Sequence, residues 1–366
     1  MKFTCNRKAL SEAFQLVCGV IETKSTKPVL KTVKVEAKEG TVKLAATDLT
    51  VGAVVVVGGV VVEDPGVILV YGEDANNVLR ESRDETVEWS LDGTSCRMRG
   101  ADSDFRVPTE NTEEFPTVPE FKGEPTVEVA RGDLDTMIKR TSFAISMEQM
   151  RYALNGILFV PGKGSLEVIA TDGRRLAYTK RPAKSDKAAK GFIVPIKAVN
   201  EIHRMLVDSV EKIGLRFDEN RIYARAGGAS MFAQLVEGQF PSYTDVIPKG
   251  NDIKIIFSVD DLTSAVTRAA LMTTPQSLAI RMRFENDTVK FNSSSAEHGE
   301  AKIEIKVKYD GAALELCFNP VFILDMLRAI PGQEVTIEMK DSECPALFRC
   351  GDDYLYVVMP ISLRQE

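Results

Sequence analysis

Histidine is nearly absent from this chain of 366 residues: His203 and His298 are the only two, and they lie far apart. Zinc centres and Ser-His-Asp or Cys-His nucleophiles draw on imidazole. None of the local signatures of such chemistry occurs, neither G-x-S-x-G nor H-E-x-x-H, and there is no P-loop or G-x-G-x-x-G. The six cysteines, Cys5, Cys18, Cys96, Cys317, Cys344 and Cys350, form no C-x-x-C pair, and the one close spacing, Cys344 to Cys350, has no histidine beside it. They are expected as buried reduced thiols, not as zinc ligands or disulfides. The apolar stretch Val51 to Val62 is interrupted by Gly52, Gly58 and Gly59 and stops at Glu63-Asp64-Pro65. It falls short of the ~20 residues of a spanning helix and reads as a β-hairpin. Lys2, Arg7 and Lys8 lead into an amphipathic pattern and not a plain hydrophobic block, so no secretory leader is expected and the cytoplasm is the expected location. Excess basic charge is missing too: 46 Lys and Arg face 53 Asp and Glu, a net −7, the wrong sign for an ordinary basic nucleic-acid-binding domain.

What the chain does have is repetition, at a period of about 124 residues. Ala46-Thr47-Asp48-Leu49 recurs as Ala170-Thr171-Asp172-Gly173. Each follows an alternating run, Thr41-Val42-Lys43-Leu44 or Ser165-Leu166-Glu167-Val168, that reads as a half-buried strand. A third copy, Thr288-Val289-Lys290-Phe291, runs into Asn292-Ser293-Ser294 and has lost the Thr-Asp. A second landmark keeps the same period: Val70-Tyr71-Gly72, Val194-Pro195-Ile196 and Phe318-Asn319-Pro320 each open a helix. Two landmarks with one period predict a triplicated domain, and the chain length suits three units of about 120 residues.

Each third is expected to begin with a strand and an amphipathic helix. Those helices run from Asn6 or Arg7 to Val20, from Gly132 to Ile145, and from Asp260 to Met272, with Asp133 and Asp260 or Asp261 as plausible N-caps. Strands follow, then the second helix, then a closing strand pair. Two helices and about eight strands per third make an α+β unit with one helical layer on sheet. The segments Glu114-Phe115-Pro116-Thr117-Val118-Pro119 and Gln239-Phe240-Pro241 through Pro248 read as stiff, extended connectors. They set the domains at 1–124, 125–249 and 250–366.

Three repeats of two helices, A-T-D-G-R-R-L-A at 170–177, Q-F-P-S-Y-T-D-V-I-P at 239–248 and V-V-M-P-I-S-L at 357–363 together resemble the bacterial DNA sliding clamps, the β subunits of the replicative DNA polymerase. The resemblance covers the whole chain. It implies DNA-clamp domains that pair head to tail as a homodimer, a ring of six domains whose helices line a hole around duplex DNA. The implied function is to tether the replicative polymerase and so confer processivity, without catalysis, cofactor or metal. The implied partners are double-stranded and primed DNA, the replicative polymerase, clamp-loader subunits, other proteins with a clamp-binding motif and a second copy of the chain, with no membrane.

In the family's pattern a partner-peptide pocket falls on Leu154, Thr171, Gly173, Arg175, Leu176, Pro241, Val246, Asn319, Phe322, Met359 and Pro360. The apolar members offer a cleft, Asn319 can orient a glutamine or main chain, and Met359 is adaptable. Read without the family, Leu154, Leu176 and Val246 could equally be core. Asp245, Glu343, Pro345 and Ser362 depart from the pattern and make the rim less basic or less apolar. DNA contact is expected from the loop residues Gln149, Arg151 and Tyr152, from Lys24 and Lys27 in the matching first-third loop, and from Arg80, Lys197 and Arg204 on the second helices. Their acidic neighbours include Glu12, Glu81, Asp135, Glu201 and Asp325, so these are either a modest DNA-facing excess or solvated helix faces. An encircling protein needs only weak phosphate contacts. Phe105 and Val107 match one side of the family's dimer contact, and Leu271 and Met272 the other, although the last two could close the buried end of a helix. Two other readings stand beside this one: a hydrolase or transferase using Asp48 or Asp172 as a base, and a triplicated scaffold that binds no DNA.

Overall fold

The structure is a computed structural model and describes residues 1–148, 151–275 and 277–362. Seven α-helices are formed among the described residues: α1 Arg7–Cys18, α2 Gly72–Glu81, α3 Arg131–Thr141, α4 Ile196–Arg204, α5 Tyr243–Val246, α6 Val259–Ala270 and α7 Pro320–Arg328. The expected pair of helices per third is present, and α5 is a short extra turn inside the second Phe-Pro segment, which is therefore not extended throughout.

The helix starts differ from expectation in their caps. Asn6 caps α1 by accepting from Ala9 N at 3.0 Å, and Ser258 rather than either aspartate caps α6. Asp260 and Asp261 sit in the first turn of α6, and Asp133 in that of α3, where a carboxylate still favours the positive end of the helix dipole. The apolar faces are as expected: Leu10, Ala13, Phe14 and Val17 of α1 and Leu262, Ala265, Val266 and Ala269 of α6 are buried.

The chain forms two compact units, and their limits cut through the middle third. Unit 1 comprises 1–132, 183–186 and 194–235. It holds a 13-stranded antiparallel sheet in which Val51–Gly58 pairs with both Thr41–Thr47 and Ala229–Gln234, so the ladder runs from the first third into the second. The expected hairpin over Val51 to Val62 does not form. Gly59 turns the chain at φ +69°, Val60 N binds Gly40 O, and Val61–Asp64 pairs with Lys2–Asn6 instead. Trp89, against Phe3 at 5.8 Å and Phe14 at 5.4 Å, is the centre of this unit's core.

Unit 2 comprises 133–182, 187–193 and 236–366. In it Arg175–Pro182 pairs antiparallel with Tyr354–Val358, the final strand, so a second ladder runs from the middle third into the last. A separate four-stranded sheet contains Thr288–Ser295, which continues as strand through Asn292-Ser293-Ser294, where the other copies turn.

Cys5, Cys96, Cys317 and Cys350 are buried, Cys18 and Cys344 are partly so, and all six are free thiols. Burial pushes Cys5, Cys18 and Cys96 up to about 12, which keeps them protonated and unreactive.

Candidate functional site

The repeated Thr-Asp is a turn-closing device. Asp172 Oδ1 accepts from the backbone N–H groups of Arg174 (2.9 Å) and Arg175 (3.0 Å), as Asp48 Oδ1 does from Thr50 (2.8 Å) and Val51 (2.6 Å). The threonine hydroxyls reach across each turn, Thr171 to Arg175 O and Thr47 to Val51 O. Burial raises the Asp48 carboxyl, but Lys197, the Val51 N–H and the Thr50 hydroxyl outweigh it and hold the group below its ordinary value. A carboxylate spent on a turn and a lysine is a poor general base, which removes the support for the hydrolase reading.

The second turn forms one wall of a cavity of about 110 Å³ lying wholly within unit 2. Of the residues that the family's pattern assigns to a peptide pocket, Leu154, Thr171, Gly173, Arg175, Leu176, Pro241, Val246 and Met359 line it. Leu176 and Leu154 form a buried floor, while Val246 at 42% and Met359 at 43% exposure are apolar groups left open to a ligand. Strand alternation explains the floor, since Leu176 pairs with Val357 across the two joined strands and both point to the same face.

Arg174, Phe240, Tyr243 and Val357 line the cavity as well and were missed. Phe240 and Tyr243 stand in the quoted Phe-Pro segment beside Pro241. The usable signal was the phase of α5, where Tyr243 stacks on Tyr178 at 6.1 Å and donates to Glu167 Oε2 at 3.0 Å. Burial and Glu167 push the Tyr243 hydroxyl up to about 12, so it remains a donor.

Asn319, Phe322 and Pro360 are not on the cavity wall. The Asn319 side chain accepts from Val321 N at 2.9 Å as the cap of α7. Phe322 lies beneath the Arg175 guanidinium, 4.4 Å from ring centroid to Cζ. Arg175 also binds Asp172 Oδ2 (3.0 Å), Asp325 Oδ2 (2.8 Å) and Phe143 O (2.6 Å), so it is a brace behind the pocket more than a free donor.

The candidate DNA residues divide into free and engaged groups. Lys24 and Lys27 are exposed in the loop after α1, with no acidic partner within ion-pair distance among the described residues. Arg80 is exposed beside Glu81 (3.0 Å). Arg151 is tied to Glu148 (3.2 Å) and to Asp172 O (2.9 Å), which brings it to the pocket's Thr-Asp turn. Tyr152 opens the short 3-10 turn Tyr152–Leu154, and Gln149 lies outside the described residues. Lys197 is held by Asp48 Oδ2 (2.5 Å) and Val20 O (2.9 Å), and Arg204 by Glu201.

Family models match nearly the whole chain: the N-terminal domain of the DNA polymerase III beta subunit over residues 1–119, its central domain over 128–242 and its C-terminal domain over 244–362. The chain belongs to the DNA polymerase III beta subunit family. The beta sliding clamp of Pseudomonas aeruginosa is 33% identical over 370 residues, covering 99% of this chain and 100% of the relative. A crystal structure of the Pseudomonas aeruginosa clamp bound to griselimycin matches with a TM-score of 0.92 at 32% identity, over 99% of this chain and 100% of that one. The DNA polymerase III beta subunit of Thermotoga maritima matches with a TM-score of 0.93 at 27% identity, again over 99% and 100%.

The α+β clamp architecture follows for this beta-subunit chain, and sliding clamps are processivity factors rather than enzymes. Among the described residues no cluster of three or more His, Cys, Asp or Glu could hold a metal, and no helix is long and apolar enough to cross a membrane. Of the residues matched to the family's dimer contact, Phe105 is 42% exposed and Leu271 65% exposed. Met272 is half-buried. Val107 shares a strand face with Phe105, but opposite Cys96 it is covered by the chain's own core, so an apolar contact from this strand falls to Phe105.

Proposed function

We propose that this chain works as a DNA sliding clamp: two copies pair head to tail into a ring around double-stranded and primed DNA, in the cytoplasm. Its domains are 1–124, 125–249 and 250–366. Phe105 of one copy meets Leu271 and Met272 of the other. The pocket at the second Thr-Asp turn captures short peptides of the replicative polymerase, of clamp-loader subunits and of other proteins with a clamp-binding motif. The observation that carries this reading is the cavity floored by Leu154, Leu176 and Val357, with Val246 and Met359 exposed at its rim. An apolar recess beside half-exposed valine and methionine suits a leucine or phenylalanine side chain, each worth roughly 1.5–3 kcal/mol when fully buried. The griselimycin complex of the Pseudomonas aeruginosa relative supports a ligand-taking surface in such a chain. The non-DNA scaffold reading is disfavoured by similarity to sliding clamps along the full length.

The test is a fluorescence-anisotropy titration of a labelled Gln-Leu-x-Leu-Phe type peptide against the wild type and Met359→Ala. Saturable binding, weakened about tenfold or more by the substitution, is expected, since ~1.4 kcal/mol is a factor of ten. Equal binding by both proteins would remove the pocket from the function.

A further inference from the structure

Helix α4 carries a carboxylate that neither the pocket nor the fold explains. Glu201 is only 1% exposed; Oε1 accepts from Arg204 Nη1, while Oε2 has no hydrogen-bond partner among the described residues. The pair lies directly over Gly19, which ends α1: a methyl group there would collide with the Arg204 guanidinium and with both Glu201 oxygens. Gly19 has ordinary helical φ of −63°, so the site demands space, not backbone freedom.

The charged and titratable groups around Glu201 leave it under-compensated. Lys197 and Arg204 of its own helix act on it, as does the Cys18 thiol at the end of α1; Glu73 of α2 acts on Cys18, Asp48 of the first Thr-Asp turn binds Lys197, and His203 shares the last turn of α4. Asp48 and Val20 O take the Lys197 ammonium, and Cys18 stays a neutral thiol that donates to Gly72 O. Arg204, itself half-exposed, forms the ion pair with Glu201. Burial drives the Glu201 carboxyl up to about 7, against the weaker pull of Arg204 and Lys197.

We propose that Glu201 is a proton-sensitive positioning residue for Arg204: as the anion it folds the guanidinium back onto α4, and as the neutral acid it releases it to a phosphate of the encircled duplex. The inference rests on the reading that Arg204 meets DNA. A phosphate approaching Arg204 also disfavours the Glu201 anion, so DNA binding takes up a proton and affinity rises as pH falls through neutrality.

The test measures binding of a fluorescein-labelled primed duplex to the full-length protein from pH 6 to pH 8.5 at constant ionic strength. Wild type is expected to bind several-fold more tightly at pH 6. Glu201→Gln, neutral throughout, should bind at pH 8.5 about as tightly as wild type does at pH 6, and Arg204→Ala should bind weakly with a flattened profile. A Glu201→Gln profile parallel to wild type would overturn the proposal. Unchanged affinity in Arg204→Ala would overturn it as well, by removing the DNA contact, and thermal melts tell the two failures apart. A carboxyl raised by folding contributes stability that is complete below its unfolded value, about 4.5, and is lost as pH rises through its folded value of about 7. Wild type should therefore lose melting temperature relative to Glu201→Gln between these pH values if the buried acid behaves as described, whether or not Arg204 meets DNA.

Discussion

Leu49 and Gly173 occupy one position in two copies of the same turn, at φ +80° and φ +87°. Glycine adopts this region freely, whereas an L side chain there costs about 1–2 kcal/mol. Leu49 is 45% exposed, so its side chain returns little of that in packing. Leu49→Gly should be neutral or stabilising by up to about 1 kcal/mol, the glycine entropy offsetting part of the relief. Gly173→Ala should cost about 1–2 kcal/mol, since its Cβ would also stand 2.7 Å from Arg151 Nη1. Urea melts of both variants decide this, and a Leu49→Gly loss above about 1 kcal/mol would refute the strain argument. The Thr-Asp repetition was legible in the sequence because identical turns need identical donors and acceptors. Its purpose was not: Asp48 and Asp172 look the same as candidate bases until the backbone N–H groups they accept from are in view. Lys197 and Arg204 were legible as basic helix residues, and the i,i+3 spacing of Glu201 and Arg204 was legible too, but the pairing of Lys197 with Asp48 and the burial of Glu201 are set by packing that spacing does not encode.

Periodicity resolved the helices and left their ends open. Leu10, Ala13, Phe14 and Val17 mark α1 without ambiguity, yet the first carboxylate of a run is easily taken for a cap when the residue before it does the capping. Ser258 and Asp260 show the difference, because the N-cap must stand just outside the helix with extended backbone, as Ser258 does at φ −65° and ψ 131°. Removing a true cap is costlier than removing a first-turn charge. Asn6→Ala should cost about 1 kcal/mol, and Asp260→Ala about 0.3–0.5 kcal/mol at low ionic strength. Chemical denaturation of the two variants compares them directly; an Asp260→Ala loss equal to that of Asn6→Ala would return Asp260 to the capping role. The misread hairpin has a similar cause. Val51 to Val62 has the valines of two strands and the glycines of a turn, but Val51–Gly58 finds its partners in Thr41–Thr47 and Ala229–Gln234, the latter far along the chain. Local pattern cannot announce a partner so remote.

At the scale of the whole molecule the repeats are not independent beads, because each of the two larger sheets crosses from one third into the next: Gly52 pairs with Phe232, and Leu176 with Val357. Gly52 is small for a reason visible here, since a side chain would strike the Phe232 ring. The middle third is thereby divided between two compact units, a feature that a period of about 124 residues could not reveal. The sheets that join thirds within one chain use paired backbone, whereas Phe105 and Leu271 remain exposed and are the two sides of the proposed contact between copies. A head-to-tail contact presents two different patches, so damage to either one opens every junction of a dimeric ring. If the proposed ring is right, Leu271→Asp should convert a dimer to monomer in light scattering, with far-ultraviolet circular dichroism unchanged because the side chain is 65% exposed. Phe105→Asp, on the other patch, should do the same. Both monomers should still bind the Gln-Leu-x-Leu-Phe type peptide, since the pocket lies within one unit of one chain. Neither should be retained on a closed circular duplex after loading, because in the proposed ring retention depends on encirclement and not on phosphate affinity. If the two aspartate variants remain dimers and stay on circular DNA, these residues are not the ring contact, and the apolar exposure at Phe105 and Leu271 needs another partner.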